Sequence, residues 1–172
     1  TRRVSEELGV KAYIGNIEHF RDKLQSESRE EYWRNARYSF FKKYHGRKII
    51  TAHHLDDCVE SWIFGALHGT PKLIPYERED VGEGVIRPFL SASRQELISF
   101  LLRREQSILH DWVDDPSNED TKYMRNLIRH EIVPSAFKVN PGLHKVIRKK
   151  IGERETGGTT VCVHGYAPGE NA

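Results

Sequence analysis

At 172 residues the chain is long enough for one domain, or for one domain with a small appendage. Lysine and arginine (27) nearly balance aspartate and glutamate (25), and 30% of residues are charged; no apolar run approaches a transmembrane span, which excludes a helical membrane protein. Two distant cysteines, Cys58 and Cys162, offer neither a disulfide framework nor a zinc knuckle, so a reduced, cytoplasmic setting is expected.

In chain order, residues 1–8 read as the end of a helix stopped by Gly9 in a C-cap role. Residues 10–17 read as a strand. The polar stretch 21–27 leads to Ser28, followed by Glu30 and Glu31, which predicts a helix running to about Tyr44. Its expected buried stripe is Tyr32, Trp33, Ala36, Phe40 and Phe41. Residues 47–52 predict a short buried strand and residues 56–67 the helix that follows. Gly69-Thr70-Pro71 breaks the chain, and residues 77–84 read as an exposed acidic loop containing glycine. Residues 85–90 form an extended segment with a fixed proline. Ser93, with Glu96 three residues on, predicts a capping box for a helix whose inner face is Leu97, Ile98, Leu101 and Leu102. A turn-rich loop at 114–118 precedes helices at about 121–132 and 141–151, and the glycine-rich last twenty residues are expected to be disordered. Strands alternating with helices predict a parallel α/β sheet in residues 1–75, followed by a mostly helical part.

Residues 51–61 (Thr-Ala-His-His-Leu-Asp-Asp-Cys-Val-Glu-Ser) hold the densest chemistry. Two histidines and three acids fall at a strand-to-helix junction, and open α/β sheets bind ligands outside the carboxyl ends of their strands. Asp56 and Asp57 would also complement a helix macrodipole, but that role does not account for His53 and His54 beside them. Downstream, Lys122, Arg125, Arg129, Lys138, Lys145, Arg148, Lys149 and Lys150 make residues 122–150 basic, which fits either a phosphate-facing surface or a solvated helix face. Trp62 and Trp112 read as core anchors rather than base-stacking platforms.

Five separated segments agree in order with one family. Ser28, Glu30, Arg34, Arg37 and Tyr38 match a Ser-x-Glu-x-x-x-Arg-x-x-Arg-Tyr pattern; His53, His54, Asp56, Asp57 and Glu60 match His-His-x-Asp-Asp-x-x-Glu, with Ser61 and Cys58 departing from it. Arg87-Pro88-Phe89-Leu90 with Ser93-Arg94, residues 115–118 as Asp-Pro-Ser-Asn, and Tyr123, Arg125, Asn126 and Arg129 complete the set. Over roughly residues 1–150 the chain resembles the tRNA(Ile)-lysidine synthetases of the PP-loop ATP pyrophosphatase superfamily, and most closely their short bacteriophage form.

The resemblance implies a Rossmann-like α/β domain (1–90), a helical part completing it (91–152) and a tail (153–172). It implies a ligase for tRNA modification: ATP adenylates the C2 carbonyl oxygen of the wobble cytidine of an isoleucine tRNA with a CAU anticodon, and L-lysine then displaces AMP to give lysidine. Carried onto this sequence, His53, Asp57 and Arg34 would be catalytic; Arg34, Arg37, His53, Thr51 and Ala52 would bind ATP; Asp57 and Glu60 would hold the lysine amine. Arg94, Arg125, Asn126 and Arg129 would contact tRNA, and Asp57 would touch Mg, a hard cation that wants oxygen ligands. Arg125 and Arg129 share a helix face and would either meet phosphates, reach back to the site, or pair with Asp115 or Asp120. Glu60 has an ordinary surface position as its alternative role. The superfamily's Ser-Gly-Gly-x-Asp-Ser loop stands nowhere upstream of Val10, and residues 156–160 do not replace it. A truncated chain, an N-terminal fragment or second chain supplying the loop, and a degenerate remnant remain open. Alternative functions are another PP-loop tRNA modification such as thiolation, or tRNA binding without catalysis.

Overall fold

The computed structural model describes residues 2–16, 26, 28–43, 48–79, 84–103 and 116–156. The expectations for Ile17, residues 21–25, Trp112, Asp115 and the tail beyond residue 156 lie outside these. Helix α1 (Arg2–Glu7) ends as expected at Gly9, whose φ of 64° is the left-handed conformation that favours glycine. Residues 10–16 are not a strand: they join no ladder among the described residues, and Val10, Tyr13 and Ile14 are exposed. Apolar alternation signals a strand only where a partner edge meets it.

Helix α2 (Arg29–Lys42) begins at Ser28, whose hydroxyl accepts the Glu31 N–H at 3.1 Å. Ala36 is fully buried, Tyr32, Phe40 and Phe41 are half-buried, and Trp33 is exposed, so the stripe is narrower than its sequence suggests. Strand β1 (Ile49–Ile50) leads into helix α3 (Leu55–Leu67). Gly69, at φ 76°, then turns the chain where Gly69-Thr70-Pro71 was expected to break it.

The sheet is small and mixed. Strands β2 (Glu77–Arg78) and β3 (Val85–Ile86) pair antiparallel, while β1 pairs parallel with β3 in the order β1-β3-β2. The parallel contact joins β1 to the 85–90 segment, outside the 1–75 span in which the parallel sheet was expected. The antiparallel contact corrects the reading of residue 77 onward as loop alone, since two residues are too few to show a period.

Helix α4 (Arg94–Arg103) carries the expected capping box: Glu96 Oε2 accepts the Ser93 N–H at 2.6 Å and its hydroxyl at 2.7 Å, and Ser93 Oγ accepts the Glu96 N–H. Its inner face is not buried, however; Leu97 and Ile98 are half-covered, and Leu101 and Leu102 are exposed. The helix expected over 121–132 runs on to residue 139 as α5 (Met124–Leu127), a π-turn (Ile128–Ile132) and α6 (Val133–Val139). Pro134 lacks an N–H, and its ring would press on the carbonyl four residues back, so the wider turn before it lets the helix continue. Helix α7 (Leu143–Thr156) closes the described fold.

The core forms where α3, the π-turn and α7 meet. Leu55, Cys58, Val59 and Ile63 follow the i, i+3, i+4, i+8 spacing of one helix face, and Leu143, Ile147 and Ile151 recur every four residues on α7. Leu90 and Ile128 fill the space between, with Trp62 packed against the cluster as a core anchor. This core fixes the first turn of α3 against residues far along the chain. Among the described residues no helix is long and apolar enough to cross a membrane.

Candidate active site

The site is built on the loop between β1 and α3. Thr51 extends the ladder, its N–H donating to Ile86 O at 3.0 Å, so the residues after β1 emerge at the sheet's carboxyl edge. His54 is the N-cap of α3, and its backbone N–H donates to Asp57 Oδ2 at 2.9 Å. That bond turns the Asp57 carboxylate back over the helix N-terminus, where the macrodipole favours negative charge.

Asp57 and Glu60 lie one turn apart on α3 and are both buried, at 9% and 5% exposure. Glu60 is therefore not a surface residue. Two guanidiniums from the 124–132 helix cover the pair. Arg129 Nε and Nη2 donate to Glu60 Oε1 and Oε2 at 2.7 and 3.1 Å, the bidentate fork that arginine makes with a carboxylate. Arg125 donates from Nε to Glu60 Oε2 at 3.2 Å and from Nη2 to Asp57 Oδ1 at 3.3 Å. Arg129 Nη2 also stands 3.7 Å from Asp57 Oδ1. Of the roles open to the two arginines, reaching back to the site is the observed one; Asp120 instead accepts the Lys122 N–H.

His53 stands beside this cluster, with Nδ1 2.9 Å from Thr51 Oγ1. Burial lowers its pKa; Asp57 opposes that shift, while Arg87, Arg125 and Arg37 reinforce it, so the imidazole is neutral at neutral pH. His54 is moved the other way, chiefly by the Asp56 carboxylate 3.4 Å from its Nδ1, against burial. Burial would raise the Asp56 carboxyl, but His54, the Arg94 backbone N–H at 2.7 Å and His144 at 3.1 Å hold it well below the usual carboxylate range. Asp56 thereby ties α3 to the N-terminus of α4 and to α7.

The structure thus brings together Thr51, His53, Asp57, Glu60, Arg125 and Arg129, with Arg37 within electrostatic reach of His53. Ala52 is exposed beside them. Arg34 is exposed on α2 with its guanidinium 5.9 Å from the Tyr38 ring centre, and Arg94 meets the cluster through its backbone. Asn126 is buried and its amide donates to Asp120 O at 3.0 Å. The Asp57 oxygens face two guanidiniums and an N–H, and no group of three metal-ligating side chains gathers among the described residues. Sequence reasoning missed His144, which no spacing connects to Asp56 across 88 residues, and the burial of Arg87.

A strand edge, a helix N-terminus and a cluster of acids and guanidiniums at the carboxyl end of a sheet define a nucleotide-type α/β site. The chain belongs to the PP-loop family, whose PP-loop domain matches residues 1–136. Within it the chain resembles the tRNA(Ile)-lysidine synthases. That of Vibrio campbellii is 30% identical over 151 residues, covering 84% of this chain and 32% of the relative. The Porphyromonas gingivalis protein is 36% identical over 122 residues (66% and 25%), and that of Francisella tularensis subsp. tularensis 34% over 142 (77% and 35%). The chain spans about a third of the length of these relatives or less.

Proposed function

We propose that this chain carries the reaction centre of a tRNA(Ile)-lysidine synthase, acting in the cytoplasm on ATP, L-lysine and an isoleucine tRNA with a CAU anticodon. The supporting observation is the paired acids Asp57 and Glu60 under the Arg125–Arg129 fork, beside a neutral His53. In the first step the C2 carbonyl oxygen of cytidine attacks the α-phosphate of ATP and pyrophosphate leaves. In the second the lysine side-chain amine attacks C2, its C–N bond forms as the C–O bond to AMP breaks, and the amine gives up a proton.

Guanidiniums stabilise charge that builds on transferring phosphate, which is the role of Arg37 and, once released from the acids, of Arg125 and Arg129. Arg34, Thr51 and Ala52 would complete the nucleotide contacts, and Arg94 and Asn126 the tRNA contacts. A neutral imidazole accepts a proton, which suits His53 to deprotonate the attacking ammonium. Asp57 and Glu60 would hold that ammonium, and every guanidinium contact they now make must be exchanged for it. Arg125, the more exposed of the two arginines, would swing from carboxylate to phosphate as substrate arrives.

The thiolation alternative lacks a reactive thiol among the described residues. Cys58 is fully buried, and burial pushes its thiol up to about 11, so thiolate at neutral pH is scarce. Asp57→Ala should abolish lysine transfer to tRNA while the chain still folds; near-normal turnover would remove Asp57 from the site. Cys58→Ala should leave lysine transfer intact, and its loss would favour sulfur transfer.

A further inference from the structure

Arg87 follows β3 directly and is 3% exposed, the most deeply buried cation among the described residues. Its partners do not account for its charge. Nη1 donates to Pro75 O at 2.8 Å, and the backbone N–H donates to Tyr76 O, but Nε is buried without a hydrogen-bond partner. No carboxylate pairs with it among the described residues. Buried charges are ordinarily paired or bound to a counter-ion, because desolvation is costly and a neutral carbonyl offsets only part of it.

The same side chain lines a half-open cavity of about 190 Å³ between the turn after β3 and helix α7. Tyr76, Ser91, Arg148 and Ile151 form other parts of its wall, and no acidic side chain lines it. Arg148 is already balanced: Nη2 donates to Glu96 Oε2 at 2.6 Å and Nε to Ser91 O at 2.7 Å. Those two bonds fix a second guanidinium at the wall and leave the charge of Arg87 as the uncompensated one. Neither Asp57 nor Glu60 lines the cavity.

We propose that this cavity between the residue 87–91 turn and α7 binds a small oxyanion of phosphate size through Arg87 and Arg148. Guanidiniums recognise phosphate and carboxylate alike by presenting parallel N–H donors, so the shared chemistry is a planar or tetrahedral oxyanion. The volume admits one such group with part of an attached skeleton and leaves no room for a folded polymer. Occupancy would add to the Leu90 core packing and the Arg148–Ser91 hydrogen bond that already join the β3 turn to α7.

Thermal unfolding of the full chain in chloride, inorganic phosphate and acetate at equal ionic strength and pH tests this. A ligand that binds only the folded state raises Tm with its concentration. Phosphate or acetate should raise Tm above the chloride value in a saturable manner, with the larger response naming the anion class, and isothermal titration should give one site per chain. Arg148→Gln, at a partly exposed position, should fold and bind about tenfold more weakly, the loss of one charge-assisted hydrogen bond. Arg87→Met should abolish the response while folding as well as the parent in chloride; should it fail to fold, Arg148→Gln and the titration decide alone. Equal Tm in all three salts, or an unchanged response in Arg148→Gln, would overturn the proposal.

Discussion

Glu60 shows how much a single residue's role depends on what the fold brings to it. In sequence it is one acid on a helix face, with a solvated position as its plain alternative. In the fold both of its oxygens are saturated by guanidiniums 65 and 69 residues away. Periodicity sees neighbours along a helix and is blind to that separation, so the partner was legible only as one option for Arg125 and Arg129. A double-mutant cycle between Glu60→Gln and Arg129→Gln should give a coupling of about 1–3 kcal/mol, because the two groups share one network. Additive effects would mean the fork is incidental. His54 supplies a pH prediction. Its pKa is raised above 6.5 in the folded chain, so its contribution to stability is full below pH 6.5 and is lost as pH rises through the folded value. His54→Gln should therefore flatten the decline in stability above pH 6.5 in urea titrations. A decline of unchanged size would assign it to another group.

Elements were legible where a local rule specifies them. Ser28, Gly9 and the Ser93–Glu96 box each sit where their capping chemistry places them, because a cap is satisfied within three or four residues. The 10–16 segment and the inner face of α4 were misread for the opposite reason: Val10, Ile14, Leu101 and Leu102 stay exposed, and whether an apolar residue is covered is decided by distant elements rather than by a local rule. The continuation through Pro134 was invisible because a π-turn leaves no sequence period. Gly65 marks the closest approach of α3 to the following chain. A Cβ there would lie 2.5 Å from Thr70 O and 2.9 Å from Lys72 N, both backbone atoms that cannot rotate away. Gly65→Ala should cost about 1–3 kcal/mol as overpacking, read as a lower urea midpoint; an unchanged midpoint would show that the 70–72 segment yields freely.

On the scale of the whole molecule, α7 packs against the start of α3, which carries the Asp57–Glu60 cluster. Ile147 is fully buried in the core, and His144 on the same helix reaches Asp56 at the start of α3. Ile147→Ala should destabilise the fold by about 2–5 kcal/mol. The basic segment resolves into two sets: Arg125, Arg129 and Arg148 turn inward onto acids, while Lys138, Lys145, Lys149 and Lys150 stay exposed. Composition alone could not separate them, since burial decides which cations remain for a nucleic acid. The lysines face solvent, where a contact with any polyanion would be weakened by salt.

The most direct test of the central claim is incorporation of labelled lysine into an isoleucine tRNA transcript bearing CAU, with ATP and magnesium. It is run with this chain alone and with a polypeptide supplying the Ser-Gly-Gly-x-Asp-Ser segment, each against Asp57→Ala. The account predicts ATP-dependent lysine transfer in at least one arm and none with Asp57→Ala. Absence of transfer in both arms, with salt-sensitive tRNA binding retained, would contradict it and leave a tRNA-binding module in its place.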